Sequence, residues 1–396
     1  MPIQSTHLPI KTRLEAEDIG FLTHMGAALK LSLCTPFDPN WNGPMEGRIL
    51  LRDLRRQAAV LLSTRGALEG GIEALLEPLD GFSAVPEGFG QIGRGLALFS
   101  DGEEALAIAL PEAPVPSAQI DLCFRLDAVL SQIQGRDRFY LLQLAQHGIH
   151  LWDCDSVVWR EIPLDGFETD IRDMPHFEST EYQALFHSTG GGGSHGGKSS
   201  FAGIGVGDKR DLKMEIEVFF RQIDHGIKEK LVGRKKPLFL AGTGFLFPLY
   251  RHVNTYPGLA EAELPGHPES MGSDMDLHRR AVTLMQAEER KARQSALATY
   301  KENLATARSC AGYTDLVPCA AEGRLTHLFL AEGSVQWGDF EPESGRTTLF
   351  ETFRDGARDL TALACVHALR SGASVYAIPP SEMPVDASIA GLVRAK

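Results

Sequence analysis

Residues 139–162, FYLLQLAQHGIHLWDCDSVVWREI, decide how the rest of the chain is divided. An apolar run from Phe139 to Ala145 meets a tight turn at His147-Gly148. A second run, Ile149 to Cys154, meets another turn, and a third ends at Ile162. Aromatic and β-branched runs broken by turn residues predict three consecutive strands. Just upstream, Gly135-Arg136-Asp137-Arg138 is a polar break suited to a domain boundary. Downstream, residues 161–200 lack apolar periodicity and are rich in Asp, Gly, Ser and His, the composition of a long functional or disordered excursion. Regular structure resumes with a helix predicted over 210–232. There Leu212, Ile216, Phe219, Phe220, Ile223 and Ile227 recur at three- and four-residue spacing, and Gly233 ends the pattern. Residues 237–241, PLFLA, predict a buried strand.

On the N-terminal side, the apolar segment at 26–37 gives way to a Pro/Asn/Gly loop at 36–44 and a helical pattern from Glu46. Strands are predicted at 94–101, 104–111 and 118–124, and a short helix at 126–134. On the C-terminal side, a helix over 276–308 with Ser273 as its cap carries the alternating charges of an exposed face, EERKARQ. Strands follow at 325–333 and 335–342, then a helix at 355–372 and a strand at 374–380. Alternating strands and helices predict α/β or α+β domains. The expected division is three: an N-terminal α/β domain at 1–136, a central domain at 137–290 and a C-terminal α/β domain at 300–396.

The 396 residues are 43% apolar and 23% charged, enough apolar material for sizeable cores. A net charge of −13 supplies no global attraction for nucleic acid or an anionic membrane, so RNA contact needs local patches. Lys228, Lys230, Arg234, Lys235 and Lys236 make one, which also reads as a solvated helix end. The six cysteines include no Cys-x-x-Cys, against a zinc ribbon or a disulfide framework. The first twenty residues mix charge with apolar residues, unlike a signal peptide, and no apolar run approaches the ~20 residues of a membrane span. The expectation is a soluble, reduced, cytoplasmic protein without membrane or DNA partners.

Within the excursion lies STGGGGSHGGKSS, residues 188–200. Gly192-x-x-x-x-Gly197-Lys198-Ser199 fits the phosphate-loop pattern. That reading needs a buried strand before the glycines and a helix starting at Lys198-Ser199. The preceding EYQALFHST is a weak strand, and Gly203, Gly205 and Gly207 resist helix. No apolar strand ending in Asp follows to bind magnesium. A plain linker also fits the composition. His147, His150, His176, His187 and His195 offer a metal site only if a fixed frame gathers them, and none is evident. No cofactor and no metal are expected.

A third reading comes from likeness. SHGGKSS, set before a long amphipathic helix and a PLFLAG strand, resembles the Gly-Gly-Gln loop of archaeo-eukaryotic peptide-chain release factors. Residues 139–152 resemble the hairpin opening the central domain of those proteins, and 355–395 resemble the end of their last domain. That end reads as a helix, then SVYAIPPSEMP, then a final helix over DASIAGLVRA. The chain therefore resembles the bacterial proteins related to release factors and Pelota. The resemblance implies a ribonuclease-H-like central domain and a C-terminal domain like kink-turn-binding ribosomal proteins. It implies partners in the ribosome, rRNA and peptidyl-tRNA, and leaves a GTPase partner open.

The residues suit ester hydrolysis. Its tetrahedral oxyanion is commonly stabilised by backbone N–H groups, and close backbone approach favours residues without Cβ. Gly196 and Gly197 supply that approach and Lys198 the N–H donor; Ser194, His195 and Ser199 are candidates for RNA contact. Two departures matter. Lys198 replaces a glutamine that offers both an acceptor and a donor, whereas lysine offers donors and a charge. The Asn-Ile-Lys-Ser segment tied to stop-codon reading is absent. The expectation is rescue or peptidyl-tRNA hydrolysis without codon reading; the alternatives are a non-catalytic ribosome-binding adaptor and a nucleotide-binding phosphate loop.

Overall fold

The computed structural model describes residues 8–26, 28–36, 52, 53, 56, 58–60, 74–77, 93–145, 148–170, 206–266, 274–304, 306–354 and 356–394. Two compact units result: Met1–Arg136 with Glu289–Lys396, and Asp137–Glu288.

The first unit opens with β1 (Ile10–Lys11), α1 (Ala16–Leu22), β2 (Lys30–Pro36), β3 (Gly95–Ser100), β4 (Ala105–Leu110) and β5 (Ser117–Asp121). Asp127–Val129 form a 3-10 turn leading into α2 (Leu130–Ile133). The sheet order is β1-β4-β3-β2-β5, antiparallel except for β1 with β4. The β3–β4 hairpin closes through local turn chemistry. Asp101 Oδ1 accepts from the N–H groups of Glu103 (3.1 Å) and Glu104 (3.0 Å), and Gly102 takes φ +94°. Of the helix expected from Glu46, residues 52, 53, 56 and 58–60 are helical and the rest lies outside the described residues.

The second unit carries β6 (Phe139–Ala145), β7 (Gly148–Cys154), β8 (Trp159–Ile162), α3 (Val206–Lys230), β9 (Leu238–Gly242), α4 (Leu246–Val253) and β10 (Leu259–Pro265). It also holds the first part of α5 (Asp274–Glu302). The expected three-strand meander forms, and β9 and β10 add in parallel to give the order β10-β9-β6-β7-β8. Strand alternation splits β6 between two cores. Tyr140, Leu142 and Leu144 pack with Ile216, Phe219, Phe220, Ile223 and Tyr250 of α3 and α4. Phe139 and Leu141 pack with Leu277, Ala281 and Met285 of α5. Burial on both faces explains why β6 and β9 read as continuous apolar runs.

The helix expected at 210–232 begins at Val206, so Gly207 lies inside it. Glycine costs about 1 kcal/mol in a helix, and a long helix with a buried apolar stripe absorbs it. No element is expected from the sequence between 242 and 275, yet α4 and β10 form there. Strand β10 is a half-buried edge whose alternation, Ala260-Glu261-Ala262-Glu263-Leu264, is written in alanine and glutamate, residues depleted in strands. The expected Ser273 cap lies outside the described residues.

The chain returns to the first unit through β11 (Ser309–Ala311), α6 (Tyr313–Ala321), β12 (Leu325–Ala331), β13 (Trp337–Glu341), β14 (Arg346–Leu349), β15 (Arg358–Asp359), α7 (Leu360–Arg370), β16 (Ser374–Ile378) and β17 (Ile389–Val393). Two sheets form, β11-β17-β12-β16 and β14-β13-β15. The final helix expected over 386–395 is instead the strand β17, antiparallel between β11 and β12. The cause is close packing: a Cβ on Gly391 would meet His327 O at 3.0 Å, so glycine lets β17 lie against β12. The segments 1–136 and 300–396, expected as separate domains, share one core. Phe99, Ile108, Phe124 and Val129 lie in it with Leu316, Leu328, Leu363 and Val366. Among the described residues no helix is long and apolar enough to cross a membrane.

Candidate functional site

The excursion between β8 and α3 leaves and rejoins the second unit at one end of its sheet. At the entry, Ile149 N donates to Thr169 O at 2.9 Å, fixing residue 169 beside the start of β7. Gly148, the first residue of β7, pairs with Ala145, the last of β6. At the exit, α3 ends at Lys230 and β9 begins at Leu238, which pairs with Tyr140 near the start of β6. The short link places the C-terminus of α3 at that far end. Its N-terminus, Val206, therefore lies at the other end, where β6, β9 and β10 finish, the side on which open α/β sheets commonly carry ligands. Twenty-five residues at 1.5 Å each make α3 about 37 Å long, against about 23 Å for a seven-residue strand. Among its described side chains the first buried one is Ile216, with Lys213 and Met214 exposed before it.

Two devices hold the root of the excursion. The Phe167 ring lies over Gly226 of α3, where an added Cβ would sit 2.8 Å from two ring carbons, and it makes an edge contact with His225. Asp224, buried within the apolar stripe of α3, accepts from Thr255 Oγ1 (2.6 Å), Thr255 N (3.0 Å) and Tyr250 Oη (3.4 Å). Burial first, and Asp224 second, push the Tyr250 hydroxyl well up from its ordinary value. The carboxylate locks α3 to the end of α4. Phe167, Asp224 and Gly226 were not singled out from sequence; a lone acid at the i+8 position from Ile216 is the one signal available.

The residues carrying the chemical expectation, Ser194, His195, Gly196, Gly197, Lys198 and Ser199, lie outside the described residues, as do His147, His176 and His187. Of the histidine group His150 is described, and its Nδ1 is 2.6 Å from Glu161 Oε1. Among the described residues no three His, Cys, Asp or Glu side chains gather as a metal site. In the basic run, Lys236 Nζ is bound to Asp153 at 2.8 Å and lies over the Tyr140 ring, while Lys228, Arg234 and Lys235 are exposed. Strand β9 ends in Gly242, so it supplies no magnesium-binding Asp.

Residues 138–324 match the family described as bacterial archaeo-eukaryotic release factor family 3. No curated protein matches the chain. Among solved structures it is similar to the archaeal translation termination factor aRF1, at 15% identity over 97% of this chain and 99% of that one, TM-score 0.21. Pelota of Archaeoglobus fulgidus is similar at 13% identity over 98% and 94%, TM-score 0.34. Dom34 of S. cerevisiae is similar at 12% identity over 74% and 73%, TM-score 0.34. The hairpin, the long helix and the β9 strand that carried the resemblance all fall inside the matched segment. The likeness to the bacterial relatives of archaeo-eukaryotic release factors is therefore a family-model match over residues 138–324, just under half of the chain.

Proposed function

We propose that this protein acts on ribosomes or on peptidyl-tRNA, promoting hydrolysis of the ester joining peptide to tRNA without reading a stop codon. The observation that carries the reading is the match of residues 138–324 to a release-factor family, a span that includes Gly196-Gly197-Lys198 in sequence. In sequence the tripeptide falls between β8 and α3, and β8 ends and α3 begins at the same end of the five-stranded sheet. In this reading the Lys198 N–H donates to the developing oxyanion. Gly196 and Gly197 allow the approach, and Ser194, His195 and Ser199 meet rRNA or tRNA backbone. The strand order β10-β9-β6-β7-β8 of the second unit, an antiparallel meander with β9 and β10 added in parallel, supports a ribonuclease-H-like central domain, and the C-terminal segment is read as kink-turn-protein-like.

The competing reading is a ribosome-bound adaptor that hydrolyses nothing. Lys198 in place of glutamine and the net charge of −13 favour it. Release of labelled peptide from stalled ribosomes separates the two. Gly197→Ala should lower release by about 10²–10³, the usual cost of one oxyanion donor. Lys198→Gln should keep or raise it, because the backbone is unchanged. Equal release by wild type and Gly197→Ala rules the glycines out as catalyst. No release by wild type or by Lys198→Gln, with ribosome binding intact, makes the adaptor the better account.

A further inference from the structure

In the first unit, α6, α7 and β13 line a pocket of about 240 Å³. Its wall follows from helical spacing. Pro318 and Ala321 stand three apart on α6, and Leu363 and His367 four apart on α7, so each pair shares a face of its helix. Phe340 of β13 and Met25, just past α1, add to the apolar wall. Arg358 of β15, His367 and Glu322 are the charged or titratable side chains in the lining.

The charges in that lining are not balanced. Glu322 is exposed and already paired with Arg324 at 2.7 Å. Arg358 is half-buried. Its Nε is shut off from solvent without a hydrogen-bond partner, and no carboxylate pairs with its guanidinium among the described residues. A buried donor left unmade is costly. A water would satisfy one N–H but would bring no counter-charge. Beside Arg358, the imidazole of His367 is half-buried and makes no side-chain hydrogen bond among the described residues. Burial first, then Arg370 and Arg358, hold it below its ordinary value. At neutral pH it therefore offers one N–H donor and no charge of its own.

We propose that this pocket binds a small monocarboxylate with an apolar tail, its carboxylate held by Arg358 and His367 and its tail by Pro318, Ala321, Phe340 and Leu363. The guanidinium fork matches a carboxylate in shape and charge. One unpaired cation suits one negative charge, and Glu322 at the edge opposes a phosphate dianion. Size narrows the class further. At the ~30 Å³ that one water takes in the liquid, the pocket admits roughly eight water-sized groups, enough for a short fatty or aromatic acid and too few for a nucleotide. The proposal is independent of the hydrolytic reading, because every described lining residue belongs to the first unit.

The test is a titration of the full-length protein with hexanoate, followed through the ring resonances of His367, which are identified by their loss in His367→Gln. Hexanoate should shift them saturably. It should also raise the pH at which His367 titrates, because a bound anion favours the imidazolium. Hexanol, without the charge, and inorganic phosphate, without the tail, should each bind more weakly than hexanoate. Arg358→Gln should weaken hexanoate by about tenfold or more, the usual worth of a hydrogen bond to a charged group, and Arg358→Lys by less. Ala321→Leu, which fills the pocket from α6, should abolish binding in a folded protein. Absence of a saturable shift at tens of millimolar hexanoate would overturn the proposal. So would hexanol or phosphate binding as tightly as hexanoate, or a folded Arg358→Gln or Ala321→Leu with unchanged affinity.

Discussion

Asp137 shows what one residue contributes. It is 4% exposed, Oδ2 accepts from Ser156 Oγ at 3.1 Å, and Oδ1 has no partner among the described residues. Burial first, and Asp155 second, push its carboxyl up to about 6. In the unfolded chain an aspartate titrates near 3.9. Between about pH 4 and 6 the folded state therefore holds a proton that the unfolded state has released. Stability from this site is complete below about pH 4 and is lost as pH rises through 6. Two pH units correspond to about 3 kcal/mol as an upper figure. Asp137→Asn should remove that slope, so urea midpoints of wild type and variant should diverge between pH 4 and 7, with the variant the more stable at pH 7. Parallel curves would show that Asp137 is ionised in the folded state. From sequence Asp137 reads as part of a polar boundary, because nothing local reveals that Ser156 and Asp155 close over it.

At the scale of the element, two glycines are placed by close approach. Gly242 ends β9 at φ +135°, where a Cβ would overlap the carbonyl oxygen of Leu144. Gly242→Ala should cost about 2–4 kcal/mol, because backbone must move to admit it; a urea titration reads this directly, and a loss below 1 kcal/mol would mean the strand end relaxes freely. Gly226 is a subtler case. In a helix interior, alanine gains about 1 kcal/mol over glycine, but here the Phe167 ring occupies the space. Gly226→Ala alone should be neutral or destabilising, and in a Phe167→Ala background it should stabilise by up to about 1 kcal/mol. The sign change across this cycle is the readout; the same gain in both backgrounds would show that Phe167 does not seal the root of the excursion. The stripe of α3 was legible because a helix repeats its buried face every three or four residues. Its starting residue was not, because the chain around Gly207 carries no such repeat.

For the whole molecule, the first unit is discontinuous in sequence. Gln119 Nε2 donates to Asp359 Oδ2 at 2.9 Å, Asp359 N to Asp121 Oδ2 at 2.7 Å, and Val375 N to Gln134 Oε1 at 2.8 Å. These bonds join the segment before Arg136 to the one after Glu289 within a common core. The fragment 1–136 expressed alone should therefore expose apolar surface, bind a hydrophobic dye and lack a cooperative unfolding transition. Adding fragment 289–396 should restore one. Cooperative unfolding of 1–136 by itself would show that its five-stranded sheet needs no partner.

The sequence by itself determined the elements whose pattern is periodic: the meander 139–162, the strands at 94–111, and the existence, though not the ends, of the helices expected at 210–232 and 276–308. It also carried the family likeness, through a glycine tripeptide and its neighbours in order along the chain. Tertiary structure alone decided the rest. The strand at 389–393 depends on lying between β11 and β12, and the edge strand at 259–265 on pairing with β9. The common core of two segments more than 150 residues apart depends on distant partners. Periodicity reports which face of a segment is buried, a local property of the backbone repeat. Which partner buries it is set by contacts between residues remote in sequence, and no single segment encodes them.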